Sequence, residues 1–276
     1  NNDEILADEI EDIFISNRRC YGTRKIKIAL LPLVLVMKKE DFMNNLNRQR
    51  KLDIDHIIFI GRTYEEYLNM FNLSLEYLEG KRILDCPAGA CSFSATARKY
   101  DIDVEACDLA YYFNDDILYE KGINDIKHMI NKMEHSKLNY NWTFFKDLDD
   151  LEFHRKKALE TCVKDMKNNQ DKYCPVEMPQ LPYNNNAFDV LLSAHFLFLY
   201  ADVFDIDFHI QTIKEMIRVT KEEIRIFPLV DMGGKRYKNL DEIIKLLKDN
   251  GYKTSEIKVP YEFQVNANSF LKIQIQ

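Results

Sequence analysis

Two aspartates, with a turn of small residues between them, are the side chains of this sequence best placed to hold a ligand. Asp85 ends the short apolar run Ile83-Leu84, and Asp108 ends a second apolar segment, Ile102–Ala106. Between them lies the turn Pro87-Ala88-Gly89-Ala90, whose small side chains let a ligand approach the backbone closely. A carboxylate at the tip of a strand can accept hydrogen bonds from both hydroxyls of a ribose. The pattern therefore indicates a nucleotide site with Asp108 on the ribose.

The elements that must position these residues form a strand–turn–helix–strand unit over Lys81–Tyr112. Apolar or small residues follow the turn at helical spacing: Phe93, Ala95, Ala97 and Tyr100. The free N–H groups at the start of such a helix suit an anionic group such as a carboxylate. This unit is half of a nucleotide-binding α/β fold. The alternative is an ordinary strand–turn–helix that binds nothing.

The segment ILDCPAGACSF resembles the first motif of the class I (Rossmann-like) S-adenosylmethionine-dependent methyltransferases. In that family a strand ending in Asp precedes G-x-G-x-G. Asp85 takes the place of the acid and Gly89 that of the central glycine, whereas Pro87 and Cys91 replace the outer glycines. The dinucleotide motif G-x-G-x-x-G fits less well, because neither Pro87 nor Ser92 supplies its glycine.

Two later segments resemble the same family in the same order. Leu181-Pro182-Tyr183 and Phe188-Asp189 match the approach to the fourth strand. Three residues match the helix before the fifth strand: Glu215, Arg218 and Val219. After them, Lys221-Glu222-Glu223 stand in place of the family's Pro-Gly-Gly turn. The resemblance covers roughly residues 59–276.

The resemblance implies a doubly wound, Rossmann-like α/β fold with a mostly parallel seven-stranded sheet and an antiparallel last strand. Helices should precede the first strand. A helical insertion is expected at about residues 111–173, because this segment is longer than a minimal crossover needs. We expect the methyltransferase domain to span residues 37–276 and an N-terminal extension to span residues 1–36.

The resemblance also implies which residues contact S-adenosylmethionine. Arg62 and Tyr64 would face its methionine end, and Glu177 and Met178 would meet the adenine. The full predicted set is Arg62, Tyr64, Asp85, Cys86, Pro87, Ala88, Gly89, Asp108, Leu109, Glu177, Met178, Ser193 and Ala194. The alternatives are a surface arginine, core tyrosines and a solvent-facing glutamate.

His195 is the predicted catalytic residue. It lies in Ser193-Ala194-His195-Phe196, where the N-P-P-Y motif of DNA and glutamine amide methyltransferases would stand. In methyl transfer from a sulfonium, alignment and desolvation supply most of the acceleration, and a base is needed only when the acceptor loses a proton. His195 could be that base or a structural histidine, and the acceptor stays open between a small molecule and a protein side chain.

Composition limits the partners. The net charge of −7 and the pI of about 5.5 disfavour a nonspecific nucleic-acid binder. The six cysteines show neither C-x-x-C nor zinc spacing, so we predict a reducing, cytoplasmic location and no metal. The apolar run Ile28–Met37 contains Pro32 and is too short to span a bilayer. The oligomeric state is not indicated.

The segment Arg18–Leu30 resembles the helix-turn-helix region of insertion-sequence transposases. The matching residues are Tyr21, Gly22, Arg24 and Ile26. Because the resemblance stops at Leu30 and Met37 looks like a start of translation, we interpret this stretch as a transposase remnant. A DNA-binding arm and a packed N-terminal helix are the alternatives. Besides a methyltransferase, the sequence thus allows an S-adenosylmethionine-binding protein without catalysis, or a DNA-associated protein.

Overall fold

Seven strands form one sheet in the computed structural model, which describes residues 58–201 and 203–275. They are β1 (Arg82–Asp85), β2 (Asp103–Asp108), β3 (Tyr173–Pro175), β4 (Phe188–Ala194), β5 (Thr220–Phe227), β6 (Lys253–Lys258) and β7 (Ser269–Gln274). Their order is β3-β2-β1-β4-β5-β7-β6. The first five are parallel, and β7 is antiparallel to β5 and β6. The predicted mostly parallel sheet with an antiparallel last strand is confirmed.

Helices cover both faces of this sheet. They are α1 (Tyr64–Phe71), α2 (Leu75–Leu78), α3 (Phe93–Ala97), α4 (Asp115–Met133), α5 (Leu148–Asn168), α6 (Ile206–Val219) and α7 (Leu240–Asp249). Side chains of α1, α3, α4 and α5 pack on one face, where Ile83 and Val104 lie. Those of α6 and α7 pack on the other face with Leu84 and Leu191. This is the predicted doubly wound α/β arrangement.

The segment between β2 and β3 contains the expected helices α4 and α5, which pack closely against each other. A Cβ atom added to Gly122 of α4 would lie 2.6 Å from a methyl carbon of Leu159 in α5. The absence of a side chain at Gly122 therefore sets the distance between the two helices. Within the described residues no helix is both long and apolar enough to cross a membrane. The predicted N-terminal extension and its transposase-like stretch lie outside the described residues.

The residues that match the family pattern before β5 hold the chain that enters β4. The Arg218 guanidinium donates to the carbonyl oxygens of Leu181 and Tyr183 at 2.9 and 2.8 Å. Glu215 accepts from the Leu181 N–H at 2.9 Å and from Arg218. Glu215 and Arg218 therefore match the family pattern at positions that stabilise the fold.

Two local expectations are corrected. Lys221-Glu222-Glu223 form no turn, because α6 ends at Val219 and β5 begins at Thr220. Glu223 is instead fixed in the strand by hydrogen bonds from Tyr77 and Arg225. The helix after the first turn, α3, has only five residues. The N–H of Ser92 ahead of α3 donates to the Arg62 carbonyl oxygen at 2.9 Å, so it is not free for an anion.

Candidate active site

The strand order reverses at β1, with β2 on one side and β4 on the other. In open α/β sheets, ligands bind outside the carboxyl ends of the strands at such a point. Asp85 ends β1, Asp108 ends β2, and His195 follows β4. Asp85 is in register with Ala106, and side chains two residues apart on a strand point to the same face. Asp85 and Asp108 therefore share one face of the sheet.

The carboxylate of Asp108 holds the turn after β1. Its Oδ2 accepts from the Gly89 N–H at 2.7 Å, and its Oδ1 accepts from the Ala110 N–H at 2.8 Å. Burial raises the pKa of Asp108, and these two N–H groups oppose the rise. Each carboxylate oxygen keeps further acceptor capacity. The Asp108 carboxylate can therefore still accept hydrogen bonds from two ribose hydroxyls.

Gly89 is suited to this turn for two reasons. Its φ is +52°, a backbone conformation that favours glycine. A Cβ atom at this position would lie 3.8 Å from Asp108 Oδ2, over the carboxylate. The Gly89 carbonyl oxygen also accepts from the Tyr111 hydroxyl at 2.8 Å. The turn is thus fixed from both sides, and no side chain of Gly89 lies against the Asp108 carboxylate.

Asp85 is fully buried with half of its carboxylate unsatisfied. The Tyr67 hydroxyl of α1 donates to Oδ1 at 2.9 Å. Oδ2 has no hydrogen-bond partner among the described residues. Burial raises the pKa of Asp85 well above its usual range, and the Asp108 carboxylate adds to this effect. An orphaned buried oxygen calls for a donor. The Ser94 hydroxyl, which acts on the same carboxyl group, or a ligand amino group could supply one.

The segment before α1 lies directly across the turn. A Cβ atom on Gly61 would stand 1.9 Å from the Ala90 carbonyl oxygen, so only glycine fits there. The Arg62 N–H donates to the Cys91 sulfur at 3.2 Å. The Phe59 N–H donates to Asp125 of α4 at 2.8 Å. Gly61 is a site residue that the sequence interpretation missed, since an isolated glycine between an apolar run and a helix cap carries little signal.

A buried ion pair joins α1 to the insertion. The Arg155 guanidinium donates to both carboxylate oxygens of Glu66, at 2.6 and 2.9 Å. The Tyr261 hydroxyl donates to Glu66 at 2.7 Å, and the Thr63 N–H donates to it at 2.8 Å. Thr63 and Glu66 also form a capping box at the start of α1. Sequence reasoning missed Arg155 and Tyr261, which lie far along the chain.

His195 stands at the end of β4 with a strained backbone and a free ring nitrogen. Its φ is +52°, its N–H donates to the Phe227 carbonyl oxygen at 2.6 Å, and its Nδ1 is buried without a partner among the described residues. Burial lowers the pKa of His195 well below its usual value, and the charges of Arg62 and Arg155 add to this. The imidazole is therefore neutral near pH 7 and can accept a proton.

Two predicted cofactor contacts are not brought to this cleft. The ring of Tyr64 stacks on Phe93 and Tyr100, at centroid distances of 5.7 and 5.8 Å, within the helix layer. Tyr67, three residues further along α1, reaches Asp85 instead. Ser193 points to the opposite face from Asp85, because Asp85 is in register with Leu192 and neighbouring strand residues alternate between faces.

The remaining predicted contacts surround the turn and the ends of the neighbouring strands. Cys86 is buried, and its sulfur lies 4.0 Å from that of Met178. The Ala88 N–H donates to the Cys107 carbonyl oxygen at 2.9 Å. Of the other predicted contacts, Pro87 and Leu109 are half-buried, Ala194 is buried and Glu177 is exposed. In the described part of the chain, no group of three or more potential ligands is positioned to hold a metal ion.

Several solved methyltransferase structures are similar to this chain. A putative S-adenosylmethionine-dependent methyltransferase from Methanococcus maripaludis is 11% identical, with a TM-score of 0.39, over 77% of this chain and 83% of its own. Magnesium protoporphyrin IX methyltransferase from Synechocystis, with bound S-adenosylmethionine, is 12% identical, with a TM-score of 0.41, over 100% and 98%. The 1,6-didemethyltoxoflavin-N1-methyltransferase of Burkholderia thailandensis is 10% identical, with a TM-score of 0.42, over 93% and 92%.

Sequence comparison gives a nearer relative. No family model matches the chain. The uncharacterized protein MJ0045 of Methanocaldococcus jannaschii is 33% identical over 226 residues, which cover 82% of this chain and 99% of that protein. The chain belongs to the same family as protein MJ0045 of Methanocaldococcus jannaschii.

Proposed function

We propose that the protein is a cytoplasmic S-adenosylmethionine-dependent methyltransferase that acts on a small molecule or a protein side chain. The observation that carries this proposal is the arrangement at the switch point of the sheet. There, Asp108 holds the glycine turn, Asp85 keeps an unsatisfied oxygen, and His195 keeps an unpartnered nitrogen. The cofactor, when bound, supplies an electrophilic methyl group on a sulfonium.

The cofactor would lie along the carboxyl ends of β1 and β2. Asp108 accepts from the ribose hydroxyls, and the turn at Gly89 lets the ligand approach the backbone. Leu109 and Met178 flank the adenine, with Glu177 at its amino group. Asp85 Oδ2 accepts from the amino group of the methionine end. The departures from the family's glycine pattern are compatible with this, because Cys91 has a structural role as the acceptor for the Arg62 N–H.

His195 acts as the base when the acceptor must lose a proton. Its Nδ1 is the atom that takes the proton, and the hydrogen bond to the Phe227 carbonyl oxygen fixes its backbone. Because the pKa of His195 lies below its usual value owing to burial, the base stays unprotonated as the pH falls from about 8 to about 6.5. Turnover should therefore not decline over that interval through protonation of His195.

Turnover with methyl-labelled S-adenosylmethionine tests the proposal. The protein is incubated with a metabolite library and a peptide library, and S-adenosylhomocysteine formation and labelled products are measured. With an acceptor found, His195→Ala should lower turnover roughly 100-fold or more while S-adenosylhomocysteine affinity stays within about threefold. His135→Ala, on an exposed histidine just after α4, is the matched control and should change neither. Cofactor binding without turnover on any acceptor would leave a binding protein without catalysis, and no cofactor binding would overturn the proposal.

A further inference from the structure

Arg62 differs from the other arginines of residues 58–201 and 203–275 in having no acidic partner. Six of the seven arginines in this part of the chain form ion pairs: Arg82, Arg98, Arg155, Arg218, Arg225 and Arg236. Arg62 forms none with a described residue, although it is half-buried and its Nε is fully buried without a hydrogen bond. A desolvated cation without a counter-charge is unfavourable unless something supplies that charge. The missing partner therefore needs an explanation.

The neighbouring acidic residue does not supply a counter-charge for Arg62. Glu66, four residues along the chain, is already neutralised by the bidentate Arg155 pair and also accepts from Tyr261 and Thr63. The two guanidinium groups of Arg62 and Arg155 thus face one carboxylate. At this corner of the cleft, Arg62 and Arg155 supply two positive charges and Glu66 supplies one negative charge.

The corner lies on the His195 side of the cleft. The His195 ring packs on Phe227 at 5.4 Å between centroids, and Phe227 packs on Tyr261 at 6.0 Å. The Tyr261 hydroxyl then bonds to Glu66, on the first turn of the helix that Arg62 precedes. The Arg62 charge also acts on Tyr140 of the insertion, on Tyr200 of the loop after β4, and on His195 itself. Tyr140, Tyr200 and His195 therefore lie within electrostatic range of Arg62.

We infer that the methyl acceptor carries an anionic group, a carboxylate or a phosphate, and that Arg62 binds it. This inference rests on the proposed function and assigns Arg62 to the acceptor, whereas the family resemblance implied a contact with the cofactor. An anion on Arg62 would neutralise a charge that disfavours protonation of His195. Acceptor binding would therefore make His195 a stronger base at the moment it is needed.

The cofactor's own carboxylate is the competing source of the anion, and two ligands separate the cases. S-adenosylhomocysteine has that carboxylate, and 5′-methylthioadenosine lacks the amino-acid part. Calorimetry with both should show Arg62→Ala within about threefold of the parent protein for each ligand. A tenfold loss of affinity for S-adenosylhomocysteine with no loss for 5′-methylthioadenosine would show that Arg62 binds the cofactor's carboxylate, and would overturn the inference. Arg236→Ala, at a solvent-exposed ion pair, is the control for loss of an arginine.

Acceptor-side binding is tested with benzoate, its neutral isostere benzamide, and inorganic phosphate, each titrated into protein saturated with S-adenosylhomocysteine. We expect benzoate or phosphate to bind at least tenfold more tightly than benzamide. Arg62→Ala should abolish this preference, and Arg62→Lys should keep part of it because it retains charge without the planar fork. Equal binding of benzoate and benzamide with no phosphate binding, or a preference that survives Arg62→Ala, would overturn the inference. Failure of the parent protein to bind S-adenosylhomocysteine would instead contradict the proposed function.

Discussion

Replacing Arg155 with methionine should strongly destabilise the protein, because it leaves the buried Glu66 carboxylate without its ion-pair partner. Arg155 is 1% exposed and Glu66 is 0% exposed. Burial alone would raise the pKa of Glu66, but the Arg155 guanidinium, together with the Arg62 charge and the Thr63 N–H, more than offsets this, so the pKa lies below its usual value. The pair also joins α1 to α5, and Tyr261 ties it to the segment before β7. Its loss therefore affects three parts of the fold together.

Removing one partner of a buried ion pair costs about 3–5 kcal/mol. The hydrogen bonds from Tyr261 and Thr63 to Glu66 remain in Arg155→Met, so we expect a loss near the lower figure, about 3 kcal/mol. Adding Glu66→Gln to this variant should recover part of the loss. The glutamine oxygen can accept from the Thr63 N–H and its amide can donate to the Tyr261 hydroxyl, with no buried charge left over.

Urea unfolding followed by far-ultraviolet circular dichroism measures these changes. In the parent protein, the depressed Glu66 pKa contributes stability that is present above the unfolded-state pKa and is lost as the pH falls through the folded-state value. In Arg155→Met, burial would raise that pKa, so the variant should gain on the parent as the pH is lowered from about 7 to about 5. Arg236→Met, at an exposed pair, is the control and should stay within about 1 kcal/mol. A cost below about 1 kcal/mol for Arg155→Met, or a parent-like pH dependence, would refute the reasoning.

Three further substitutions follow from single contacts. Gly61→Ala would place a Cβ atom 1.9 Å from the Ala90 carbonyl oxygen, so S-adenosylhomocysteine affinity should fall at least tenfold. In the control Gly233→Ala, the nearest atom to the new Cβ lies at 3.2 Å, and affinity should stay within threefold; equal effects would contradict this. His209→Phe removes the ring nitrogens that lie 2.7 and 2.9 Å from the carbonyl oxygens of Asp205 and Leu197, to one of which a neutral imidazole donates. It should cost about 1–3 kcal/mol in urea unfolding; an unchanged midpoint would be the wrong result. Trp142→Ala removes packing of the insertion on Tyr140 and Phe263, and should change acceptor turnover while S-adenosylhomocysteine affinity stays within a few-fold; matching losses would count against a role in acceptor choice.

Local pattern was sufficient to predict where β1 and β2 end, whereas the sheet as a whole was predicted from the family resemblance. The apolar runs that end at Asp85 and Asp108 became β1 and β2 with those acids at their carboxyl ends. The cap at Thr63 was predictable because its partner is only three residues away. Each of these features depends on neighbours in the sequence.

Features that depend on tertiary packing were not predictable. Glu66 has a second role as the partner of Arg155, which is 89 residues away. Tyr64 and Tyr67 share one face of α1, and only the position of α1 over the sheet decides that Tyr67 reaches Asp85. Ser193 points away from the cleft because of the register of β4 with β1, which hydrophobicity alone does not fix.

Titration of S-adenosylhomocysteine into three proteins tests the central claim most directly. The parent protein should bind, and Asp108→Ala should weaken binding about 10- to 100-fold, since it removes two charge-assisted hydrogen bonds to the ribose. Asp108→Asn should lose less, because its amide oxygen still accepts. Asp103→Ala is the matched control at the amino end of the same strand, where Asp103 pairs with Lys172, and it should stay within threefold. Unchanged affinity in a folded Asp108→Ala protein, or no binding by the parent protein, would contradict the account.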